Sequence, residues 1–337
     1  MKTSSFIKQS LSALAGLVII GGSACTPVKK GEYVTGSATI FCDDGFRAIL
    51  DEEIEVFEYT YPQSSIIPFY VSESEAIDTL LADGTQAIIT TRELNKDQIQ
   101  YMRSKFKRVV RQQPIAVDAV ALIINKDNPV DVLSMEQISD ILNGKITRWT
   151  QLVGNDTTQI KLVFDNAGSS TVSYLRERFL PEGKKISDLP NAFAQQNNSQ
   201  VFDIVKSDPN ALGVISVSRL GDDLSVAKNV PLDKRMEEYQ NENDTIATNL
   251  TTEVKILKVS NPTEENDYSL IAYAPYQAYI YSGEYPLVRK VYMISTASNS
   301  TVLHSFYVFM TGFVGQKIIS RTGILPYQMN PRVIQVI

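Results

Sequence analysis

Histidine is nearly missing from this chain: one in 337 residues, with two cysteines, one tryptophan and fewer bases than acids, 32 Lys and Arg against 38 Asp and Glu. Each shortage excludes something. His304 stands alone inside the apolar run TVLHSFYVFM, so a hydrolase built on a histidine base has no partner set, and His304 reads as a packing or surface residue. Without Cys/His clusters, an EF-hand loop or a Walker loop, the chain offers no metal site and calls for no cofactor. A net charge of −6 and a pI near 5.1 argue against nucleic acid and against adhesion to an acidic membrane surface. The paired acids Asp43-Asp44 and Asp222-Asp223 fall on turns, where Asp bonds its own backbone, so no catalytic residue is assigned. A small anion stays open, because local dipoles can hold one.

With 43% apolar and 21% charged residues, the chain reads as globular and long enough for two domains. Its first 24 residues read as a leader. Lys2 and Lys8 are basic, Leu11 to Ile20 are apolar, and Gly21 to Ala24 are small residues ahead of Cys25. The apolar block is too short to span a membrane. The ending resembles a bacterial lipobox, with Gly22 where Leu is usual, so Cys25 is expected to carry a lipid and residues 25–34 to form a tether. Cys42 is then the one thiol left, which excludes an intramolecular disulfide and suits a small buried filler.

From there the pattern is strand, loop, helix, repeated. Ala38 to Phe41 alternate, then Phe46, Ile49, Leu50, Ile54 and Phe57 take helical spacing after the turn Asp43-Asp44-Gly45. Ser72 to Glu75 form a capping box, and a buried strand ends at Thr90-Thr91-Arg92. PIAVDAVALIIN reads as a long apolar strand, and SMEQISDILNGK as a helix capped at Ser134 and Gln137. Ile160 to Phe164 form a strand that runs into FDNAGSSTVSYLRERFL. There Asn, Gly, Ser, Ser and Thr open an amphipathic helix whose first N–H groups lack internal partners. Such an order implies an α/β protein with largely parallel sheets and a ligand at the carboxyl ends of the strands. Several helix starts converging there make an anion site.

The same segments resemble the PstS-type phosphate-binding proteins of phosphate ABC transporters. GSATIFCDDGF resembles the first anion loop, GTQAIITTREL the Ser-Ser-Arg junction, and NAGSSTVSYLRERF the Gly-Ser-Gly-Thr loop. PIAVDAVALIINKDNPV, LSMEQISDILNGKITRWTQL, ALGVIS, YPLVRKVYM and FYVFMTGFVGQKIISRTGILPY follow in the family's order. The resemblance implies a two-lobed periplasmic binding protein fold of type II with its ligand in the interlobe cleft. Lobe one would be 35–113 plus 284–337 and lobe two 114–283, with 221–263 a variable segment. The hinge would be the strand crossings at Pro114 to Asp118 and Tyr281 to Pro286. The implied ligand-binding residues are Asp44, Gly45, Phe46, Ser72 (or Ser74), Thr90, Thr91, Arg92, Asp165, Asn166, Ser169, Ser170 and Thr171.

This chain departs from the family where an Arg usually opens R-x-D-G-S-G-T. Asp165 stands there, Ala167 replaces the Asp, and Ser170 replaces a Gly. Arg92 is expected to supply the missing cation, and Asp43, Asp44 or Asp165 to accept the proton of hydrogen phosphate, which sulfate lacks. The implied function is binding phosphate or a related oxyanion without a covalent step and handing it to a membrane permease. The implied setting is periplasmic or cell-envelope, a monomer anchored through Cys25. The alternative is a lipid-anchored surface protein that keeps the fold but binds another ligand or a protein partner through DYSLIAYAPYQAYIYSGEY, whose tyrosines read as alternating in strands. An enzyme on the same scaffold ranks last.

Overall fold

A computed structural model describes residues 35–153, 158–221, 229–241, 250–261 and 271–328. The leader, Cys25 and the tether lie outside the described residues. So do parts of the variable and tyrosine-rich segments. Among the described residues no helix is long and apolar enough to cross a membrane.

The chain alternates as read. Strand β1 (Gly36–Asp43) turns at Asp44–Phe46 into α1 (Arg47–Thr60), which buries Ile49, Leu50, Ile54 and Phe57. Strand β2 (Ser64–Val71) meets α2 (Glu73–Leu81), where Ser72 Oγ accepts the Glu75 N–H. Then come β3 (Ala87–Thr90) and α3 (Lys96–Phe106). The long β4 (Arg111–Ile124) follows, with β5 (Val132–Ser134) and α4 (Met135–Leu142), the last held by a reciprocal Ser134–Gln137 box. Next are β6 (Lys161–Phe164), α5 (Ser170–Phe179), β7 (Ala192–Ala194), α6 (Asn198–Ser207) and β8 (Ala211–Ser216). The remainder is α7 (Leu232–Gln240), β9 (Lys255–Ile256), β10 (Lys258–Ser260), α8 (Gln277–Ser282) and β11 (Val288–Ser295). Helices α9 (Val302–Met310) and α10 (Phe313–Arg321) and strand β12 (Leu325–Pro326) close it.

The main sheet runs β2-β1-β3-β11-β4-β8-β6-β7. It is mixed, which corrects the expectation of largely parallel sheets. Parallel trios β2-β1-β3 and β8-β6-β7 flank β11 and β4, which pair antiparallel with each other and with their outer neighbours. Local strand-helix-strand units fix the parallel trios. The strand β11, arriving after a long excursion, inserts with its direction set by no local rule. β4 pairs with β11 through Ala119 and with β8 from Val120 onward, so one strand serves both halves of the sheet. Seven of its residues in a row, Val120 to Ile124 among them, are essentially sealed, as expected for a strand covered on both faces.

The tyrosine-rich segment differs from its reading. Its described part is a loop and the short helix α8, ended by Gly283 at φ 77°. Tyr279 contacts Tyr273 and Tyr276 at ring separations of 4.6 and 6.4 Å, and the three-residue step from Tyr276 to Tyr279 suits a helix rather than alternation. The stretch Tyr281 to Pro286 is thus the end of α8 and a turn, and the returning strand begins at Val288.

Helix α7, from the variable segment, packs on α1 and α10 through Met236 and Tyr239 against Val56 and Ile318. Its Arg235 is buried, donates to both oxygens of the fully buried Glu52, and reaches Glu55 at 2.6 Å. Tyr239 Oη adds a bond to Glu52 at 2.9 Å. Removing one member of a buried pair strands the other charge, so Arg235→Ala should destabilise the fold by about 3–5 kcal/mol in urea unfolding. A loss below about 1 kcal/mol would show that α7 is not anchored by this pair.

Candidate anion site

The ends of β1, β2, β3 and β6 carry the polar junctions, and the structure brings them together. At the end of β1, Asp43 turns back so that its Oδ1 accepts the Gly45 N–H at 2.9 Å. Its Oδ2 accepts the Ser170 N–H, also at 2.9 Å, from 127 positions along the chain. Ser170 opens α5. Ser169, one residue earlier, is the cap: its Oγ accepts the Val172 N–H at 3.2 Å and donates to Asp165. Asn166 shapes the loop by accepting the Gly168 N–H at 3.0 Å. The Gly168 carbonyl accepts the Ser74 N–H at 3.2 Å, and a Cβ on Gly168 would stand 3.0 Å from Ser72 Oγ. A side chain at 168 would thus press on Ser72, so glycine eases this close approach.

The β3 junction is filled from within. Glu73, fully buried at the first turn of α2, accepts from Thr91 N–H and Thr91 Oγ1, both at 2.8 Å, and from Arg92 N–H at 3.2 Å. Arg92 Nε completes the set at 3.0 Å, while its Nη1 reaches Glu177 on α5 at 3.4 Å. Thr90 Oγ1 donates to the Arg92 carbonyl at 3.0 Å. Arg92 is therefore engaged by two acids, Glu73 and Glu177. Asp44 sits outward, paired with Arg47 at 2.6 Å, and Phe46 is buried in the core.

A second cation near these junctions, Arg289 on β11, is buried. Its Nε and Nη2 hold Asp118 Oδ2 at 2.9 and 2.8 Å, and Nη2 lies 3.4 Å from Thr171 Oγ1. The guanidinium stands 6.0 Å from the Phe46 ring centroid. Its Nη1 is buried with no hydrogen-bond partner among the described residues, an uncommon state for a charged donor. On the far side, Asp118 Oδ1 accepts from Ser216 Oγ at 2.8 Å; Ser216 and Ser218 hydroxyls lie 2.7 Å apart, and Ser218 donates to the Gly45 carbonyl at 3.2 Å. Arg289, Asp118, Glu73 and Ser216 were missed by motif reading. Two signals point to the pair: Asp118 interrupts the apolar run PIAVDAVALII, and Arg289 shares the inward face of β11 with Val291 and Met293. A charge on a buried face calls for a partner.

Acids outnumber bases here, and burial dominates their titration. Asp43 is pushed up to about 6 by burial and then by Glu73, against the pull of the Ser170 and Gly45 N–H groups and Arg289. Asp165 is pushed up to about 7 by burial and by Asp43, against Ser169 and Arg289. Burial opposes the Arg289 charge, but Asp118 and then Asp43 and Glu73 outweigh it, so its pKa moves upward. Near neutrality the cluster therefore holds exchangeable protons beside a fixed cation. Among the described residues no group of three or more His, Cys, Asp or Glu could hold a metal ion.

The chain belongs to the PBP superfamily domain family, whose description matches residues 28–313. The phosphate-binding protein PstS of Pseudomonas aeruginosa is 24% identical over 247 residues, 70% of this chain and 74% of that protein. The protein of the same name from Borreliella burgdorferi is 22% identical over 301 residues, 87% of this chain and 88% of that one. A Clostridium perfringens structure, described as a phosphate ABC transporter substrate-binding protein with bound phosphate, aligns with a TM-score of 0.64 at 23% identity, covering 86% of this chain and 99% of its own. An ABC-type phosphate transport receptor from Vibrio cholerae aligns at 0.61 and 21% identity, covering 86% and 100%. The fold is that of the two-lobed binding proteins.

A raised carboxyl pKa means that the folded state prefers the proton. Stability from Asp43 and Asp165 is complete below about pH 4, the ordinary Asp range, and is lost as pH rises toward about 7. The melting temperature of ligand-free protein should fall across that window, and Asp165→Asn should flatten the fall. An identical slope in the variant would mean that Asp165 does not titrate there.

Proposed function

We propose that this protein binds an inorganic oxyanion, phosphate in preference to sulfate, and delivers it to an ABC transporter permease. The observation that carries this reading is the unpartnered, buried Nη1 of Arg289 beside Thr171 at the start of α5. A guanidinium held by Asp118 on one edge keeps its other edge for a second oxyanion. The α5 N-terminus adds N–H groups and a partial positive charge. Family membership, and relatives named for phosphate binding, support the same ligand.

The arriving anion competes with Asp43 for the Ser170 N–H and meets Asp165 nearby. Hydrogen phosphate both donates and accepts, so it can face a carboxylate; sulfate only accepts and would set acceptor against acceptor. Thr171 is the hydroxyl donor, with Ser169 and Ser170 beside it. Gly45 and Phe46 form the facing wall, and Thr90 to Arg92 brace Glu73. On this reading 35–113 with 284–337 and 114–283 are the lobes, β4 is one strand of the hinge, and closure presents the surface that a permease reads. The protein performs no covalent step and sits in the periplasm or cell envelope, tethered through a lipid on Cys25.

Calorimetry with phosphate, arsenate, sulfate and molybdate tests the ligand. Phosphate should bind and sulfate should not, and Thr171→Ala should weaken phosphate by roughly ten- to a hundred-fold for the loss of a charge-assisted bond. Arg289→Lys should weaken it at least as much, while Asp165→Asn should narrow the gap between phosphate and sulfate. A folded protein that binds none of the four defeats this reading and leaves the surface-protein alternative. For the anchor, Cys25→Ala should move the protein from the membrane fraction to the soluble one; unchanged partition would exclude lipidation at that residue.

A further inference from the structure

We infer that Asp43 is a built-in occupant of the anion seat, an autoinhibitory carboxylate that an incoming oxyanion must displace and that holds affinity below what the seat alone would give. This rests on the oxyanion reading and names how that site is regulated. Asp43 ends β1, yet it is only 2% exposed. Its two oxygens are spent on backbone amides at 2.9 Å each: Oδ1 on Gly45, two residues on, and Oδ2 on Ser170 at the start of α5. A Cβ on Gly45 would stand 2.9 Å from Oδ1, inside van der Waals contact, so glycine there gives the carboxylate room to turn back.

What Asp43 holds is what an oxyanion would use. The first amides of a helix have no internal acceptor and carry the positive end of its dipole, and the Ser170 N–H is one of them. Arg289 is close enough that its charge and that of Asp43 steady each other, and its Nη2 lies 3.4 Å from Thr171 Oγ1. Ser169, Ser170 and Thr171 are each no more than 2% exposed, so the seat is sealed around the carboxylate and leaves no way in beside it. One N–H serves one acceptor well. The anion and Asp43 therefore exclude each other at Ser170.

Glu73 shows how a permanent occupant is held. It accepts four donors, among them Arg92 Nε in an ion pair at 3.0 Å. Asp43 accepts two neutral amides, and among the described residues no cation pairs with it directly. Burial and then Glu73 raise its carboxyl pKa to about 6, the sign of a charge that its neighbours compensate only in part. An occupant held by two amides gives way to an anion that adds bonds to Thr171 and Arg289; one held by four donors does not.

The test is calorimetry of the full chain with sodium phosphate on wild type, Asp43→Ser and Asp43→Asn, with melting curves to show that each variant folds. Serine keeps one oxygen for the Gly45 N–H, as hydroxyls do at turns, and cannot also serve Ser170. Asparagine keeps the shape without the charge, which guards against a serine variant that fails to fold. Both variants should bind phosphate roughly tenfold or more tightly than wild type, the effect of losing one competing charge-assisted bond. Saturating phosphate should likewise raise their melting temperatures by more than it raises that of wild type. Binding by the variants alone would also support the inference. Phosphate affinity that is unchanged or weaker in folded variants would make Asp43 a structural brace or a contact of the bound anion; it overturns the inference and leaves the oxyanion reading intact. No phosphate binding by any of the three overturns both.

Discussion

The ion pair between Asp118 and Arg289 is the constraint around which the rest is arranged. It joins β4 to β11 at the centre of the sheet, where both side chains are sealed from water and either charge alone would be strongly disfavoured. Ser216 and Thr171 satisfy part of what remains, and through them β8 and α5 are fixed to the same point. One edge of the guanidinium is consumed by structure and one is left over. The backbone amides at the α5 start take their place relative to that remaining edge, so the cradle's geometry follows from a pair that no loop motif contains.

Charge balance then shapes the chemistry. Asp43, Asp165, Glu73 and Asp118 surround one fully buried cation, and a site so acidic would repel an anion were every carboxyl ionised. Raised pKa values resolve the conflict, since a protonated carboxyl donates a hydrogen bond where its conjugate base repels. In this chain the family's usual Arg position is Asp165, and the buried guanidinium comes from a strand 124 residues further along the sequence.

Much of this was legible in the sequence, for identifiable reasons. Helix periodicity placed α1, α4 and α5 because packing and capping agreed there, as with Ser134 and Gln137. The convergence of Gly45, Ser72, Thr91 and Ser170 followed from strand ends that share one rim of an α/β sheet. The antiparallel centre was not legible, since the partner of β4 lies 170 positions away and no local pattern records strand direction. The engagement of Arg92 was not legible because a motif shows which residues stand in a row but not that Glu73, the first residue of the preceding helix, already accepts from their donors. The tyrosines misled for a related reason: aromatic residues favour strands on average, whereas here three-residue spacing and Gly283 carry them into a turn and helix.

Cys42 is wholly buried on β1, and its surroundings push its thiol pKa well above the ordinary value, first by burial and then by Asp43. Thiol reagents act on the thiolate, so this side chain is silent to them while the protein stays folded. A cysteine introduced at the rim of the cleft would thus be the one position in the folded domain that a maleimide dye modifies. With Cys25, which lies outside the described residues, replaced, the chain is in this sense a ready-made background for a reagentless optical sensor.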